Sequence, residues 1–559
     1  MTSITDDTIR NVETIKKTDS HRPNGETTMV RREPSTPQEP VGTSRRTLLK
    51  NIGFGALGLG VFAAAGVPFV SSISGQRVFA RQAIPEAMPL RVDHVTVIDP
   101  RDGSTHPDMS VLVRGGTIVW VGAAIDLTPD GLRVIDGAGR YLVPGYNNMH
   151  SHALQEERAD LFMATMLREG TTGMRQLAGP DALLQRRAEG RLSLGAQTPA
   201  LLAMAGAILM PYNSPTIERV RHEISRQKAL GADFIKLIMV ERDVFFAAVS
   251  WAHENGMTIG GHLPPSISPS EASDAGYDYL EHLGTSVNVW IETSSDRTAL
   301  RAEYDTSLAL PNALGYVPFA EQLFSSEIVT KATATTLLNP ALSDPPELIP
   351  VLQRALDTFD EGAARRLAAT FVANGTWQTP TLSRLRTEYR MDAPEYQDHP
   401  WLRMLSPEVQ TNFQTTRTNF LELPEARRTA YHRYYDTSLK LVGILHEQGV
   451  PIMTGTDGPG GNPGQNMPSE FHELAAAGLS PLDVLRATTT VPAAFLGRSD
   501  RMGAIDAGMS ADFLLLDEDP LATVDNLSTI SAVVRSGHYS TVAELDETID
   551  RLLASAEAS

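Results

Sequence analysis

In the stretch Val143-Pro144-Gly145-Tyr146-Asn147-Asn148-Met149-His150-Ser151-His152, two histidines stand two residues apart at the end of a short apolar run. On a β-strand, residues i and i+2 face the same way. His150 and His152 therefore converge, and two converging imidazoles can hold a divalent cation. Four more residues of ligand type occupy similar runs. Lys236 lies inside Phe234-Ile235-Lys236-Leu237-Ile238, where a charge is costly unless it is paired or modified. His262 ends Met257-Thr258-Ile259-Gly260-Gly261-His262, and His282 ends Tyr279-Leu280-Glu281-His282. Asp457 ends the run that begins at Gly449. Taken singly, each has an ordinary explanation. A lysine can reach solvent from an outer face, a histidine can be satisfied in a core, and an aspartate can cap a turn or helix. Six such residues, all at the carboxyl ends of strands or on a facing strand, are better explained as one site.

The elements that must position them follow from the pattern of the chain. Short apolar runs at 142–149, 172–177, 200–205, 234–239, 258–261, 277–280, 376–381 and 451–456 read as strands, and most are followed by an amphipathic stretch. Eight such units predict an α/β fold of the (β/α)8 barrel type over 141–499. A bare barrel takes about 250 residues. The surplus falls at 285–370 and 383–445, two helical insertions rich in aromatics such as Trp290, Tyr389 and Tyr434. Those rings are expected to serve packing. Residues 90–140 and 500–545 read as short strands broken by Asp-Pro, Asp-Gly and Gly-Gly turns, so the two chain ends are expected to pair into a small composite β-sandwich.

Composition narrows the partners. The 559 residues carry 48 Lys plus Arg against 67 Asp plus Glu, a net charge of −19, which argues against nucleic acid. The absence of cysteine excludes disulfides, thiolate metal sites and a cysteine nucleophile, so any metal must rest on His, Asp, Glu, Lys or water. Residues 1–44 are polar and without periodicity, as in a disordered leader. Ser44-Arg45-Arg46-Thr47-Leu48-Leu49-Lys50 precedes nineteen uncharged residues at 52–70, and small residues follow at Val78-Phe79-Ala80. Residues 45–80 therefore look like a twin-arginine export signal, which implies the twin-arginine machinery as a partner and an exported, periplasmic location. An uncleaved signal would leave a membrane anchor.

Across about 90–540 the sequence resembles the metal-dependent amidohydrolase superfamily. The resemblance rests on Val143–His152, Gly231–Lys236, Gly260–Pro265, Glu271–His282, Thr454–Asp457, Gly478–Thr488, Pro492–Gly497 and Gly503–Leu514. The lysine-bearing strand points to the imidazolonepropionase- and prolidase-like branch. The resemblance implies two divalent metal ions, with zinc the default and Mn, Co or Ni admitted by the ligand types. His150, His152 and Asp457 would bind one metal, His262 and His282 the other, and a carbamylated Lys236 would bridge them. A metal-bridging hydroxide would attack a carbonyl carbon, and Asp457 would move the proton to the leaving nitrogen.

Two positions depart from the family pattern. Asn148 stands where an acidic residue usually precedes the first histidine, which bears on support of the ligands rather than on ligation. Pro264 stands where many relatives have a second histidine that contacts substrate. The run Gly458-Pro459-Gly460-Gly461-Asn462-Pro463-Gly464 lacks the Lys-Ser/Thr of a phosphate loop and reads as a loop over the pocket mouth. His472, just beyond it, is a candidate substrate contact; the remaining histidines read as structural. The leading expectation is hydrolysis of an amide bond in a small-molecule substrate. The same site acting on a lactone, ester or phosphotriester is the alternative, and a non-catalytic exported binding scaffold is the alternative of another class.

Overall fold

The structure is a computed structural model that describes residues 87–123, 131–192, 194–304, 306, 312–317, 334–335, 338–458 and 462–557. The expected leader and export signal lie outside the described residues, as do parts of the first insertion and of the Gly-rich run. Strands β1 (Leu90–Ile98), β2 (Thr105–Arg114), β3 (Thr117–Ala123), β4 (Arg133–Asp136) and β5 (Tyr141–Pro144) come first. Then come β6 (Tyr146–Ser151), β7 (Thr171–Gln176), β8 (Ala200–Met204), β9 (Phe234–Leu237), β10 (Thr258–Gly261), β11 (Tyr279–Glu281) and β12 (Trp377–Thr379), each separated from the next by helix. The series ends with β13 (Phe513–Leu516), β14 (Ile530–Arg535) and β15 (His538–Thr541), followed by helix Val542–Glu557. Among the described residues, no helix is long and apolar enough to cross a membrane.

The two chain ends do meet. They form one eight-stranded sheet in the order β15-β14-β13-β5-β1-β2-β3, with β4 paired to β1. Successive residues of β5, β13 and β14 pack into different cores. Leu142, Phe513, Leu515 and Val534 join one cluster with Val92 and Val111, while Val143, Leu514, Leu516 and Val533 join the main core. A strand covered on both faces needs no polar side, which is why 513–516 is uninterrupted Phe-Leu-Leu-Leu.

The central strands form two parallel sheets, β6-β7-β8 and β12-β11-β10-β9. Single parallel bridges run between their edges, at Ala205–Phe234 and Leu209–Leu237. Segment 451–456 forms no assigned strand, yet it bridges to β12 through Gln378–Ile452, and Gly458 just beyond it bridges to the end of β6 at Ser151. The hydrogen-bonded sheets thus stop short of one closed barrel. The run expected as a single strand at 142–149 divides at Gly145. Its first half pairs with β13 and its second with β7. Pro144 supplies no N–H, and Gly145 lies so close to Thr172 that a side chain there would collide with it. One run therefore crosses from the end sheet into the site-bearing sheet.

Gly261, the last residue of β10, has φ of +133°, and a Cβ there would strike the Leu237 carbonyl oxygen of β9. That close approach sets where His262 leaves the sheet. Gly261→Ala is expected to lower stability by at least about 2 kcal/mol through strain and backbone shift. Thermal unfolding of purified protein reads this, and an unchanged midpoint would contradict the packing described.

Candidate metal centre

Each of the six expected residues sits at the carboxyl end of a parallel strand or just past it. His150 and His152 close β6, Lys236 is the third residue of β9, and His262 and His282 follow β10 and β11 directly. Asp457 follows segment 451–456, whose Thr456 and Asp457 amides donate to the His150 carbonyl at 3.3 and 2.9 Å. The side chains come together. His150 Nε2 lies 3.3 Å from His152 Nε2 and 3.1 Å from Lys236 Nζ. Asp457 Oδ1 is 2.8 Å from His150 Nε2 and 3.0 Å from His152 Nε2. Asp457 Oδ2 is 3.7 Å from His282 Nε2. The His282 ring centroid is 4.6 Å from that of His150 and 5.0 Å from that of His262. Ligand atoms of His150, His152 and Asp457 all fall within 4.8 Å of one another, as a shared cation requires. His262 and His282 extend this triad on one side.

The outer nitrogens explain why the inner ones face each other. His150 Nδ1 is 2.6 Å from Glu281 Oε2, so its Nδ1–H donates to the carboxylate and its Nε2 carries a lone pair. His152 Nδ1 donates to Gln155 Oε1 at 3.3 Å. His282 Nδ1 donates to the Thr381 hydroxyl oxygen, whose own proton goes to the Pro380 carbonyl at 2.8 Å. Three imidazoles thus point unprotonated Nε2 atoms at one small volume. His262 Nε2, His282 Nε2 and Asp457 Oδ1 are buried with no hydrogen-bond partner among the described residues. A set of buried acceptors without donors is what a divalent cation completes, so these residues fit a metal.

Electrostatics agree. Burial pushes His152 down to about 4, and burial pushes His262 and His282 well below the ordinary imidazole value, the Lys236 and Arg384 charges adding to it at His262 and the Arg384 charge at His282. All three are neutral imidazoles at neutral pH. Burial likewise brings Lys236 down to about 8 against the opposing pull of Asp457 and Glu281. Burial alone would raise Asp457, but the neighbouring His150, Arg384 and His282 hold its carboxyl well below the usual range.

Several members of the site are not apparent from the sequence runs. Arg175 of β7 is 1% exposed, reaches Glu281 Oε1 at 2.5 Å and Met149 O at 2.8 Å, and is flanked by the rings of Tyr279, Phe234 and Phe495 at 4.3, 4.9 and 5.0 Å. Arg384, in helix Leu382–Tyr389 of the second insertion, places Nε 3.0 Å from Asp457 Oδ2. A charge inside an apolar run was the available signal for Arg175 and Glu281, the same signal that marks Lys236. Arg384 has no such signal. Asn148 ties β6 to segment 451–456, donating to Thr456 Oγ1 at 2.9 Å and accepting from the His150 and Thr456 amides. His472, which the sequence left as a candidate for reaching substrate, is exposed and paired with Asp525 at 2.7 Å.

Backbone strain gathers here too. His282, Thr381 and Asp457 all have φ between +46° and +55°. Such angles cost about 1–3 kcal/mol each in non-glycine residues and persist where the surroundings enforce them.

Two outcomes follow. The first concerns pH. His152 stays neutral in the folded, metal-free chain down to about 4 but titrates near the ordinary 6.5 when unfolded. Its contribution is complete above the unfolded value and is lost as pH falls toward the folded one, by about 1.4 kcal/mol per pH unit. Urea unfolding of chelated protein at pH 7 and pH 5 should therefore show a clear drop, and equal midpoints would contradict neutral burial. The second concerns Glu281. Glu281→Gln should weaken divalent-metal affinity about 10–100-fold and cost stability by stranding Arg175. The double change Arg175→Met with Glu281→Leu should recover stability, as replaced buried ion pairs often do, without recovering metal affinity in chelator competition.

Comparison with known proteins agrees with this geometry. Residues 429–539, which include Asp457 and the returning strands, match the amidohydrolase family. Over 97 residues the chain is 36% identical to an adenine deaminase of Rubrobacter xylanophilus, a stretch that is 17% of this chain and only 16% of that protein. Among solved structures, a bottromycin amidohydrolase superposes with a TM-score of 0.58 at 21% identity, covering 89% of this chain and 96% of the other. A prolidase in complex with N-methylphosphonate-L-proline superposes with a TM-score of 0.53 at 18% identity, covering 81% and 99%. Residues 429–539 thus match the amidohydrolase family, and the fold across most of the chain is shared with an amidohydrolase and a prolidase.

Proposed function

We propose that this protein is a binuclear metal-dependent hydrolase that cleaves an amide bond of a small-molecule substrate. The observation that carries the reading is the buried set of neutral imidazole nitrogens, Lys236 and Asp457 converging with unpartnered acceptor atoms. The proposal includes a (β/α)8 barrel in which segment 451–456 serves as the eighth strand; the edge bridges at Ala205–Phe234, Gln378–Ile452 and Ser151–Gly458 support it. It also includes a composite sandwich from the two chain ends, supported by the separate core against residues of β1, β2, β13 and β14.

His150, His152 and Asp457 would hold one cation and His262 and His282 a second. Zinc is the default for such nitrogen and oxygen donors, with Mn, Co and Ni as competitors. Divalent cations bound there acidify water and polarise a carbonyl oxygen. The chain's own residues supply the rest. Lys236, lowered by burial to about 8 so that a fraction of the amine is uncharged near neutral pH, would attack CO₂; a C–N bond would form, one proton would leave, and the resulting carbamate would offer two oxygens as metal ligands. The fixed Nδ1 bonds keep the imidazoles from rotating as charge develops. Asp457, gripped by Arg384 on one oxygen, accepts the proton of the attacking water and returns it to the leaving nitrogen. Near-complete burial of the ligand side chains excludes bulk water, so each interaction acts at low dielectric. Residues 45–80 would send the folded, loaded protein through the twin-arginine route to the periplasm.

The test pairs protein loaded with zinc, in bicarbonate buffer, against panels of N-acyl amino acids and dipeptides, lactones and phosphotriesters. Amide turnover should dominate. Asp457→Asn should lower kcat about 10²–10⁴-fold, the usual worth of a positioned acid–base group. Wild-type turnover confined to the lactones or phosphotriesters would move the assignment to another bond. Asp457→Asn at full activity would overturn the mechanism.

A further inference from the structure

Helix Leu382–Tyr389 and the residue before it bring two side chains onto the ligand cluster from outside. The Thr381 hydroxyl accepts the Nδ1–H of His282, and Arg384 places Nε 3.0 Å from Asp457 Oδ2. A threonine ahead of a helix ordinarily turns its hydroxyl onto an amide of the first turn, as Thr216 does for helix Ile217–Ala229. Thr381 makes no such bond. Its hydroxyl is committed to His282 and to the Pro380 carbonyl, and its φ of +46° is one that non-glycine residues avoid. The cap comes from elsewhere. Glu470 of helix Met467–Ala476 is 87 positions from Ser383. It accepts the Leu382 amide on Oε1 at 3.1 Å, and the Ser383 amide and hydroxyl on Oε2, each at 2.8 Å.

Three donors meeting one side chain need acceptors on both of its end atoms, which a carboxylate offers and a carboxamide does not. The negative charge also suits the positive end of the helix. Yet Glu470 is 0% exposed, and burial raises it to about 7, the Ser383 and Leu382 hydrogen bonds opposing this and the Glu473 charge adding to it. The other charges on the elements packed around it are engaged elsewhere. Glu473, one turn on, is bonded by Tyr435 of helix Glu425–Glu447 and lies 3.6 Å from Arg386 Nε. Arg384 is turned to Asp457 and Glu388, His472 pairs with Asp525, and Asp483 of helix Pro481–Thr488 pairs with Arg486 and His446. The stretch between Asp457 and Glu470 is tied to the same short helix once more, since Thr387 Oγ1 lies 3.3 Å from the Pro463 carbonyl oxygen.

We propose that Glu470 is a positioning residue of the metal centre, capping helix Leu382–Tyr389 so that Thr381 stays on His282 and Arg384 stays on Asp457. This rests on the metal-dependent hydrolase reading above. It gives a reason for a charge kept in a buried place whose hydrogen bonds go to Leu382 and Ser383 and not to the cluster. Protonation puts a hydrogen on one of the two accepting oxygens, where an N–H or O–H already points. The first turn of the helix therefore loosens as pH falls below about 7, and the contacts to His282 and Asp457 loosen with it.

The experiment uses the zinc-loaded protein. Hydrogen exchange over 381–389, followed by mass spectrometry and corrected for the intrinsic effect of pH, reads the cap. Chelator competition for zinc reads the ligands. Wild type should be protected at pH 8 and about tenfold less so at pH 6, as for a lost hydrogen bond to a charged group. Glu470→Gln should show the lower protection at both pH values. Its zinc affinity at pH 8 should fall about tenfold, as for other groups that orient metal ligands. Ser383→Ala removes the hydroxyl donor alone and should move both readouts the same way by about threefold; it decides the matter if Glu470→Gln does not fold. Equal protection in wild type and variants overturns the proposal. So does an equal drop between pH 8 and pH 6 in wild type and Glu470→Gln, which would trace the drop to loss of zinc, and so does lost protection at unchanged zinc affinity. Both effects in a protein that hydrolyses no amide uphold the positioning role and remove the hydrolase reading. Amide hydrolysis by a protein whose Glu470→Gln variant matches wild type in both readouts does the reverse.

Discussion

The structure depends on one constraint: several lone pairs of buried nitrogen and oxygen atoms face one another with no proton between them. His150 and His152 present Nε2 atoms 3.3 Å apart, and Asp457 Oδ1 lies at 2.8 and 3.0 Å from the two. In water such acceptors would each take a hydrogen bond from solvent. Here burial keeps His152, His262 and His282 neutral, and each of three outer Nδ1 protons, on His150, His152 and His282, is already committed to Glu281, Gln155 or Thr381. The arrangement is costly for a bare chain and sound for a chain that holds a cation, because the metal supplies the positive charge that no proton provides.

The rest of the fold can be understood as the means of enforcing that arrangement. Arg175 is bound through Glu281 to His150, and three aromatic rings fix the guanidinium in turn, so the imidazole is oriented by a buried line of charge that spans β7, β11 and β6. The left-handed φ values at His282, Thr381 and Asp457 hold the chain in turns that ordinary residues avoid. Gly261 allows β10 to approach β9 closely before His262 leaves it. The end sheet contributes through β5, which leads across Gly145 into β6 and so anchors the first two histidines to a separate core. The insertions contribute through Arg384, which grips the Asp457 oxygen other than the one that meets His150 and His152.

Much of this was legible in the sequence, for physical reasons that can be named. The period of two put His150 and His152 on one face, and charged or ligand-type residues at the ends of apolar runs identified Lys236, His262, His282 and Asp457. The pairing of the two chain ends followed from the return of short strands. What the sequence hid was mostly a matter of distance along the chain. Glu281 is 131 positions from His150, and nothing local ties them. Arg384 sits on a helix inside an insertion without readable periodicity. The division of 142–149 at Gly145 depends on which neighbour each half meets, and the failure of 451–456 to form a full strand depends on its partners on both sides. His472 looked well placed in sequence but turns to Asp525 at the surface.

The most direct test of the account is the metal content and position in the protein as purified and after loading. Elemental analysis combined with anomalous diffraction at the zinc edge should give two divalent ions per chain. The two peaks should be about 3.5–4 Å apart, one against His150, His152 and Asp457 and the other against His262 and His282, with density for Lys236 between them. A chain that takes up no divalent ion after saturation, or one whose ions sit away from these side chains, would contradict it.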